Sequence, residues 1–282
     1  MPANENMIAL WNGEDAASWH QHAERYDAML KPLGEAALAA AKLSTGEAVL
    51  DVGCGAGALT LAAATTVGSS GRAVGVDLSQ PLVEVARRRA AEAGIEHVTF
   101  ETADAQVDAL VEVPVDAVVS RFGVMFFDDP VAAFVNIRSA TTPGGRLSFV
   151  CWQPMLENEW AIVAAGAVVP HLGMPELPGP DAPGPFAFGD RDRVAQILGD
   201  AGWTSVTIDD FRVPITVGGA RTVEEAITYF REDLIGKAMF RDADDERAAV
   251  ATDALREALE PHVTPEGVRL GSATWIVTAT AP

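Results

Sequence analysis

The chain predicts an α/β fold built on an open, doubly wound and mostly parallel sheet, and three observations carry the expectation. Ala48–Val52 is a short, nearly continuous apolar run, the composition of a strand covered on both faces. It runs into Gly53, Gly55 and Gly57, which let the chain turn sharply and bring backbone N–H groups close to a ligand before a helix that begins near Ala58. Further strand-like runs at 73–76, 98–101, 115–119 and 146–151 follow, interleaved with helical stretches.

Each element has its own punctuation. Residues 11–42 read as helical and precede the first strand, with Trp11, Trp19, Tyr26 and Met29 as bulky groups. Ser79 is a good N-cap for a helix that carries Pro81 in its first turn and stops at Gly94. A helix over 130–140 is stopped by Pro143, Gly144 and Gly145, turn residues expected to launch the fifth strand at Arg146. Residues 153–190, rich in proline and glycine from 175 to 189, read as a loop over the active face. Asp190 caps a helix to about 201, strand six spans 205–213 and strand seven 273–279. Between them lies a helical insertion, with a capping box at Thr222 and Glu225 and a second helix over 244–259. The expected organisation is a helical cap at 1–46, a core at 47–152 and 191–282 with the insertion at about 220–262, and a lid at 153–190.

Two kinds of ligand suit such a glycine loop. Gly53, Gly55 and Ala58 fit the dinucleotide pattern G-x-G-x-x-G/A, and Asp77 stands where a ribose-binding acid is expected. Asp51, at the mouth of the loop, argues the other way, because its carboxylate would repel a pyrophosphate lying over the glycines. S-adenosylmethionine has no phosphate, and it carries an ammonium and a sulfonium that an acid at Asp51 would favour. An NAD-dependent oxidoreductase is therefore the less favoured reading.

The segments 49–60 (VLDVGCGAGALT), 74–79 (VGVDLS), 102–106 (TADAQ), 116–127 (DAVVSRFGVMFF) and 142–149 (TPGGRLSF) resemble, in order, the motifs of class I S-adenosylmethionine-dependent methyltransferases. The resemblance covers about 20–152, includes the Tyr26-Asp27 pair, and is closest to the ubiquinone-biosynthesis-type branch that methylates small molecules. It implies a Rossmann-like seven-stranded sheet in the order 3-2-1-4-5-7-6 with strand seven antiparallel. S-adenosylmethionine is the implied cofactor and S-adenosylhomocysteine the product. Asp51 and the glycines Gly53, Gly55 and Gly57 would hold the methionine end, and Asp77 both ribose hydroxyls. Leu78 would face the adenine, Asp104 would accept from its amino group, and the Ala105 N–H and Gln106 would lie beside the ring. Ser120 and Phe122 would sit under the sulfonium, and Tyr26 would belong to a lid. The insertion before the last strand departs from the family pattern, so it can complete the acceptor pocket or make a dimer contact.

Met125, Phe126, Trp152, Met155, Trp160, Phe186 and Phe188 are the candidate walls of an apolar acceptor cavity, some of them expected to be plain core. Ordinary packing is the expectation for Trp19. In-line methyl transfer gains about 7–11 kcal/mol from alignment alone, so a dedicated base is not obligatory. A hydroxyl acceptor would benefit from one, and His20, Glu157, Glu159 and His171 are the candidates. Arg121 would hold an acidic acceptor or, more commonly, pair with a nearby acid. A protein that binds S-adenosylmethionine without transferring its methyl group is the remaining alternative.

Forty acidic against twenty basic side chains give a net charge of −20, which opposes a nucleic acid partner. No stretch approaches the ~18 apolar residues of a membrane span, and the first residues lack a signal-peptide pattern, so a cytoplasmic protein without a membrane partner is expected, as a monomer or homodimer. The two cysteines, Cys54 and Cys151, are expected as free thiols. The five histidines show no metal-ligand spacing, so no metal is expected.

Overall fold

A computed structural model describes residues 3–174, 179 and 181–282. Eight strands form the sheet: β1 (Ala48–Val52), β2 (Arg72–Asp77), β3 (Val98–Thr102), β4 (Val115–Arg121), β5 (Thr141–Trp152), β6 (Thr204–Thr216), β7 (Val263–Thr264) and β8 (Gly267–Thr280). Their order is β3-β2-β1-β4-β5-β8-β6, with the two-residue β7 paired to β8 off the main path. Strands β1 to β5 pair in parallel, and β8 runs antiparallel to both β5 and β6. This is the doubly wound α/β order expected above, with β8 as the seventh strand of that scheme. Between β1 and β4 the strand order reverses, and the crevice at such a switch point is where open α/β sheets bind ligands.

Helices α1 (Glu5–Asn12), α2 (Ala17–Gln21) and α3 (Ala23–Ala41) precede the sheet, and α4 (Ala58–Val67), α5 (Gln80–Ala93) and α6 (Pro130–Ser139) connect its parallel strands. The cap chemistry explains where several of them start. Ser79 Oγ accepts from the Leu82 N–H ahead of α5, and Asp129 caps α6 through Ala132. The sheet's covered face is closed by rings: Phe134 from α6 lies 5.7 Å from Phe149 of β5 and 6.2 Å from Phe188. All three are fully buried, and each contributes about 1.5–3 kcal/mol by leaving water.

The structure corrects the expected boundaries in four places. The segment over 11–42 is not one helix but α2 and α3 joined at His22, and α1 starts earlier, at Glu5. Strand β5 begins at Thr141, because Pro143, Gly144 and Gly145 form a bulge inside it and do not end the connection. Thr141 pairs with Val115 and Arg146 with Ala117, and Gly144 takes the φ of +79° that glycine permits. The expected loop at 153–190 holds a helix, α7 (Glu159–Leu172), whose alanine-rich sequence outweighs the proline in its last turn. Of the proline- and glycine-rich run, 175–178 and 180 lie outside the described residues. Beyond α8 (Arg191–Asp200), the insertion holds three helices: α9 (Val223–Glu232), α10 (Leu234–Phe240) and α11 (Asp245–Leu259).

Candidate active site

A cavity of about 180 Å³ crosses the carboxyl ends of the strands and is lined by the glycine loop and by residues following β2, β3, β4 and β5. The loop's shape depends on glycine. Gly53 has a φ of +69°, and a Cβ there would stand 2.5 Å from Gly123 Cα, so the chain after β1 and the chain after β4 touch backbone to backbone. Gly57, at a φ of +85°, opens α4 against Ala86 and Phe100, again with no room for a side chain. The N–H groups of Gly53 and Cys54 donate to the Val76 carbonyl at 2.9 and 3.0 Å, which fastens the loop to β2.

Two carboxylates face this loop. Asp51 ends β1 at 1% exposure, and its Oδ2 accepts from Thr60 Oγ1 at 2.6 Å. Its Oδ1 is buried without a partner among the described residues. Burial pushes its pKa up to about 7, against the pull of the Thr60 hydrogen bond and the Arg121 charge. Asp77 accepts from the Gly55 and Ser79 N–H groups at 2.8 Å each, and burial raises its pKa despite those bonds. A buried oxygen of Asp51 with no donor is what a site built for a cationic group would present, so these residues fit the ammonium of S-adenosylmethionine.

The strand order fixes which groups are neighbours. Asp77, Leu78 and Ala105 lie at the β2 and β3 end, and Asp51, Gly53 and Phe122 near β1 and β4. Trp152 and Trp160 lie beyond them at β5. Strands stand about 4.8 Å apart, so the cavity extends over several spacings. Phe122, held at a φ of +63°, stacks on Trp152 with 4.3 Å between ring centroids. Above this floor, Tyr26 of α3 stacks on Trp19 at 3.8 Å and meets Tyr229 of α9 at 5.7 Å. Tyr26 shares a hydrogen bond with Ser18, and burial pushes its phenol up to about 12.

Several expected site residues take other positions. Asp104 Oδ1 accepts from Asn4 Nδ2 at 2.7 Å and from the Gln106 N–H at 2.9 Å; neither Asp104 nor Gln106 lines the cavity, and Ala105 between them does. Ser120 is fully buried and donates to the Val52 carbonyl at 2.7 Å, tying β4 to β1, and it too lies outside the wall, as does Gly57. Of the expected acceptor walls, Met125, Phe126, Trp152 and Trp160 line the cavity. Phe186 stacks behind Trp160 at 6.2 Å, Phe188 is core, and Met155 lies in a one-turn helix away from the wall. Trp19, expected as ordinary packing, is a wall residue.

None of the four expected base candidates lines the cavity. Glu157 pairs with Arg212 at 3.0 Å on the half-exposed surface, and Glu159 Oε2 accepts from the Gly271 N–H at 2.6 Å. His171 stands at the far end of α7, where its carbonyl accepts from Arg247, and His20 Nε2 is buried without a partner among the described residues. The wall instead contains two acids not expected there: Asp27, noted in the sequence only as part of the Tyr26-Asp27 pair, and Asp233. Asp27 bridges Arg89 and Arg121 at 2.6 and 2.8 Å, so Arg121 pairs with an acid as the commoner alternative has it. Asp233 caps α10 through the Ile235 and Gly236 N–H groups. Its signal in the sequence is only that of an N-cap.

The fold and this site define a nucleotide-type cofactor cleft with a cationic preference. The model of a methyltransferase domain matches residues 43–165. Aklanonic acid methyltransferase DauC of Streptomyces sp. (strain C5) is 30% identical over 165 residues, 55% of this chain and 75% of that protein. Nocamycin O-methyltransferase of Saccharothrix syringae is 31% identical over 167 residues, 56% of this chain and 59% of that protein. The structure of phosphoethanolamine N-methyltransferase 2 from Haemonchus contortus with S-adenosyl-L-methionine matches all of this chain and 60% of its own, with a TM-score of 0.58 at 16% identity, a likeness of fold. The chain belongs to the class I S-adenosylmethionine-dependent methyltransferases. Among the described residues no helix is long and apolar enough to cross a membrane, and no cluster of three or more metal-ligating side chains occurs.

Proposed function

We propose that this enzyme moves the methyl group of S-adenosylmethionine to a small, planar, apolar or aromatic molecule. One observation carries the reading: the same cavity is lined by glycine-loop backbone, by the acids Asp51 and Asp77, and by aromatic rings from Trp19, Tyr26, Trp152, Trp160 and Tyr229. In this reading Asp77 accepts from the ribose hydroxyls, Leu78 and Ala105 flank the adenine, and Asp51 takes the ammonium. Gly53 and Gly55 allow the close approach, and Phe122 marks the level of the transferred methyl. When bound, the donor supplies an electrophilic methyl on a positively charged sulfur. The chain's own task is to align an acceptor against it and exclude water, which is where most of the acceleration of such a displacement arises.

The names of two relatives, an aklanonic acid methyltransferase and a nocamycin O-methyltransferase, support a small-molecule acceptor. The acid-rich composition supports an acceptor other than nucleic acid, and the reading involves no membrane. Two buried, unpaired cysteines suit the reducing cytoplasm, where the protein would act as a monomer or homodimer. Calorimetric titration with S-adenosylmethionine, S-adenosylhomocysteine and NAD(H), followed by product analysis over a panel of aromatic acceptors, tests it. S-adenosylhomocysteine formed in step with a product heavier by one methyl supports transfer; binding without such a product supports the non-catalytic alternative.

A further inference from the structure

Building on the methyl-transfer reading, the structure assigns Asp233, in the cavity wall, as the base acting on the O–H of a phenol- or enol-bearing acceptor. Asp233 lies where α9 turns into α10, inside the insertion that departs from the family pattern, and its side chain joins the cavity wall. One oxygen is occupied: Oδ1 accepts from the Ile235 N–H at 2.7 Å and the Gly236 N–H at 2.9 Å. The other, Oδ2, accepts no hydrogen bond among the described residues. The carboxylate is thus aimed and held by backbone, with one face left for a donor.

Its rivals are committed elsewhere. Among the described residues the other wall carboxylates are Asp27, Asp51 and Asp77. Asp27 is neutralised by two arginines, and Asp51 and Asp77 belong to the glycine loop and β2. Among the described residues no arginine bonds to Asp233. Tyr26 of α3 and Tyr229 of α9 feel its charge, Lys237 one turn along α10 acts on it, and Arg25 and Glu232 act on the same Tyr26. Burial pushes its pKa up to about 6, against the two backbone bonds and Lys237, so at neutral pH it is ionised yet basic enough to accept a proton. Leu234, Ile235 and the Tyr26 and Tyr229 rings, all in the same wall, make the surroundings apolar, where a ligand hydroxyl gains most from a charged acceptor.

The step balances. An oxygen lone pair of the acceptor forms the bond to the methyl carbon, the carbon–sulfur bond breaks with its electron pair going to sulfur, and the hydroxyl proton passes to Asp233 Oδ2. A cation and a carboxylate become two neutral groups, in a site with little water to screen the charge they start with.

The test compares naphthol with its methyl isostere, methylnaphthalene, binding to the protein saturated with S-adenosylhomocysteine at neutral pH. The wild type should prefer the hydroxyl probe by about 10-fold or more, the worth of a hydrogen bond to a charged group. In Asp233→Asn that preference should vanish while S-adenosylhomocysteine affinity holds and the melting temperature at neutral pH stays at or above that of the wild type, because the amide oxygen still caps α10 and the ionised carboxylate no longer has to be buried. Asp233→Ser, also a capping residue, should behave alike. The wild-type preference should also fall as pH drops through about 6, where the carboxylate protonates. Absence of a hydroxyl preference in the wild type, or its survival in both variants, overturns the assignment. A failure of the methyl-transfer reading is distinct, since it shows as no S-adenosylhomocysteine formed from S-adenosylmethionine by the wild type over the acceptor panel.

Discussion

Asp51→Asn separates what the Asp51 carboxylate costs the fold from what it offers the donor. Burial raises its pKa from 3.8 to about 7 in the folded chain. The folded state therefore binds this proton more tightly than the unfolded state does. Its contribution to stability is fully present below the unfolded value, falls as pH rises, and levels off above about 7. At about 1.4 kcal/mol per unit, a rise of about three units makes the ionised carboxylate cost about 4 kcal/mol at alkaline pH. Asparagine keeps an acceptor for Thr60 and cannot ionise, but it puts an NH2 group where Oδ1 now lies without a partner, which costs about 1–3 kcal/mol. The variant should therefore be about 1–3 kcal/mol more stable than wild type near pH 8 and no more stable near pH 5. In melting temperature that is a gain of several degrees at the higher pH. Donor binding should move the other way, weakening by about 10- to 100-fold as the ammonium loses a charged partner. Thermal melts at both pH values and calorimetry with S-adenosylmethionine read the two effects. A variant with no pH-dependent gain, or one that binds the donor as tightly as wild type, refutes the reasoning.

Gly53→Ala should lower stability by at least about 2 kcal/mol and abolish donor binding, since its Cβ would meet Gly123 Cα at 2.5 Å in a backbone of positive φ; melts and titration check it. Asp77→Ala should weaken S-adenosylhomocysteine at least about 10-fold, losing the ribose acceptors and the brace on Gly55 and Ser79. Arg25→Ala removes donors to the Gly218 and Glu225 carbonyls and a 3.7 Å pair with Glu232, so aromatic probes should bind more weakly while donor affinity holds. A loss of both in parallel would mean that donor and acceptor binding are not separable. Cys54 and Cys151 are buried, with burial pushing both thiols up, so neither should react with a thiol reagent until the protein unfolds, as counted by absorbance in native and denaturing buffer.

What the sequence makes legible is what is local. Strand β1, its glycines, the acids at 51 and 77 and the caps at Ser79, Asp190 and Thr222 each show within a few residues, and they reappear where expected. Features that depend on folding back do not show. Gly144 and Gly145 read as a stop signal, yet positive φ is also what a bulge inside β5 needs, and only the pairing with β4 tells the two apart. Asp27 meets Arg89 and Arg121 across 62 and 94 residues, and no spacing rule links them. Asp233 looks like any helix cap, and its place in the cavity wall arises because α9 and α10 fold over α3. Of the expected bases, Glu159 at the start of α7 is drawn to Gly271 of β8, and Glu157, in the single turn before it, to Arg212 of β6, partners that no spacing in the sequence reveals.

The cavity wall therefore has two origins. The glycine loop, Asp51 and Asp77 come from the turns after consecutive strands, all inside the stretch at 43–165 that matches the methyltransferase domain. A further part of the wall comes from α2, α3, α9 and α10, which lie outside that stretch; the first three hold one another: Ser18 Oγ donates to the Glu232 carbonyl at 3.1 Å, Arg25 reaches Gly218 and Glu225, and the Gly218 N–H meets Met29 Sδ at 3.1 Å. Similarity confined to 43–165 therefore carries the glycines, Asp51 and Asp77 together with the rings of Phe126, Trp152 and Trp160, and it leaves α2, α3, α9 and α10 free to differ, so in the proposed reading acceptor choice is set jointly by those rings and by the helical part of the wall, where Asp233 stands.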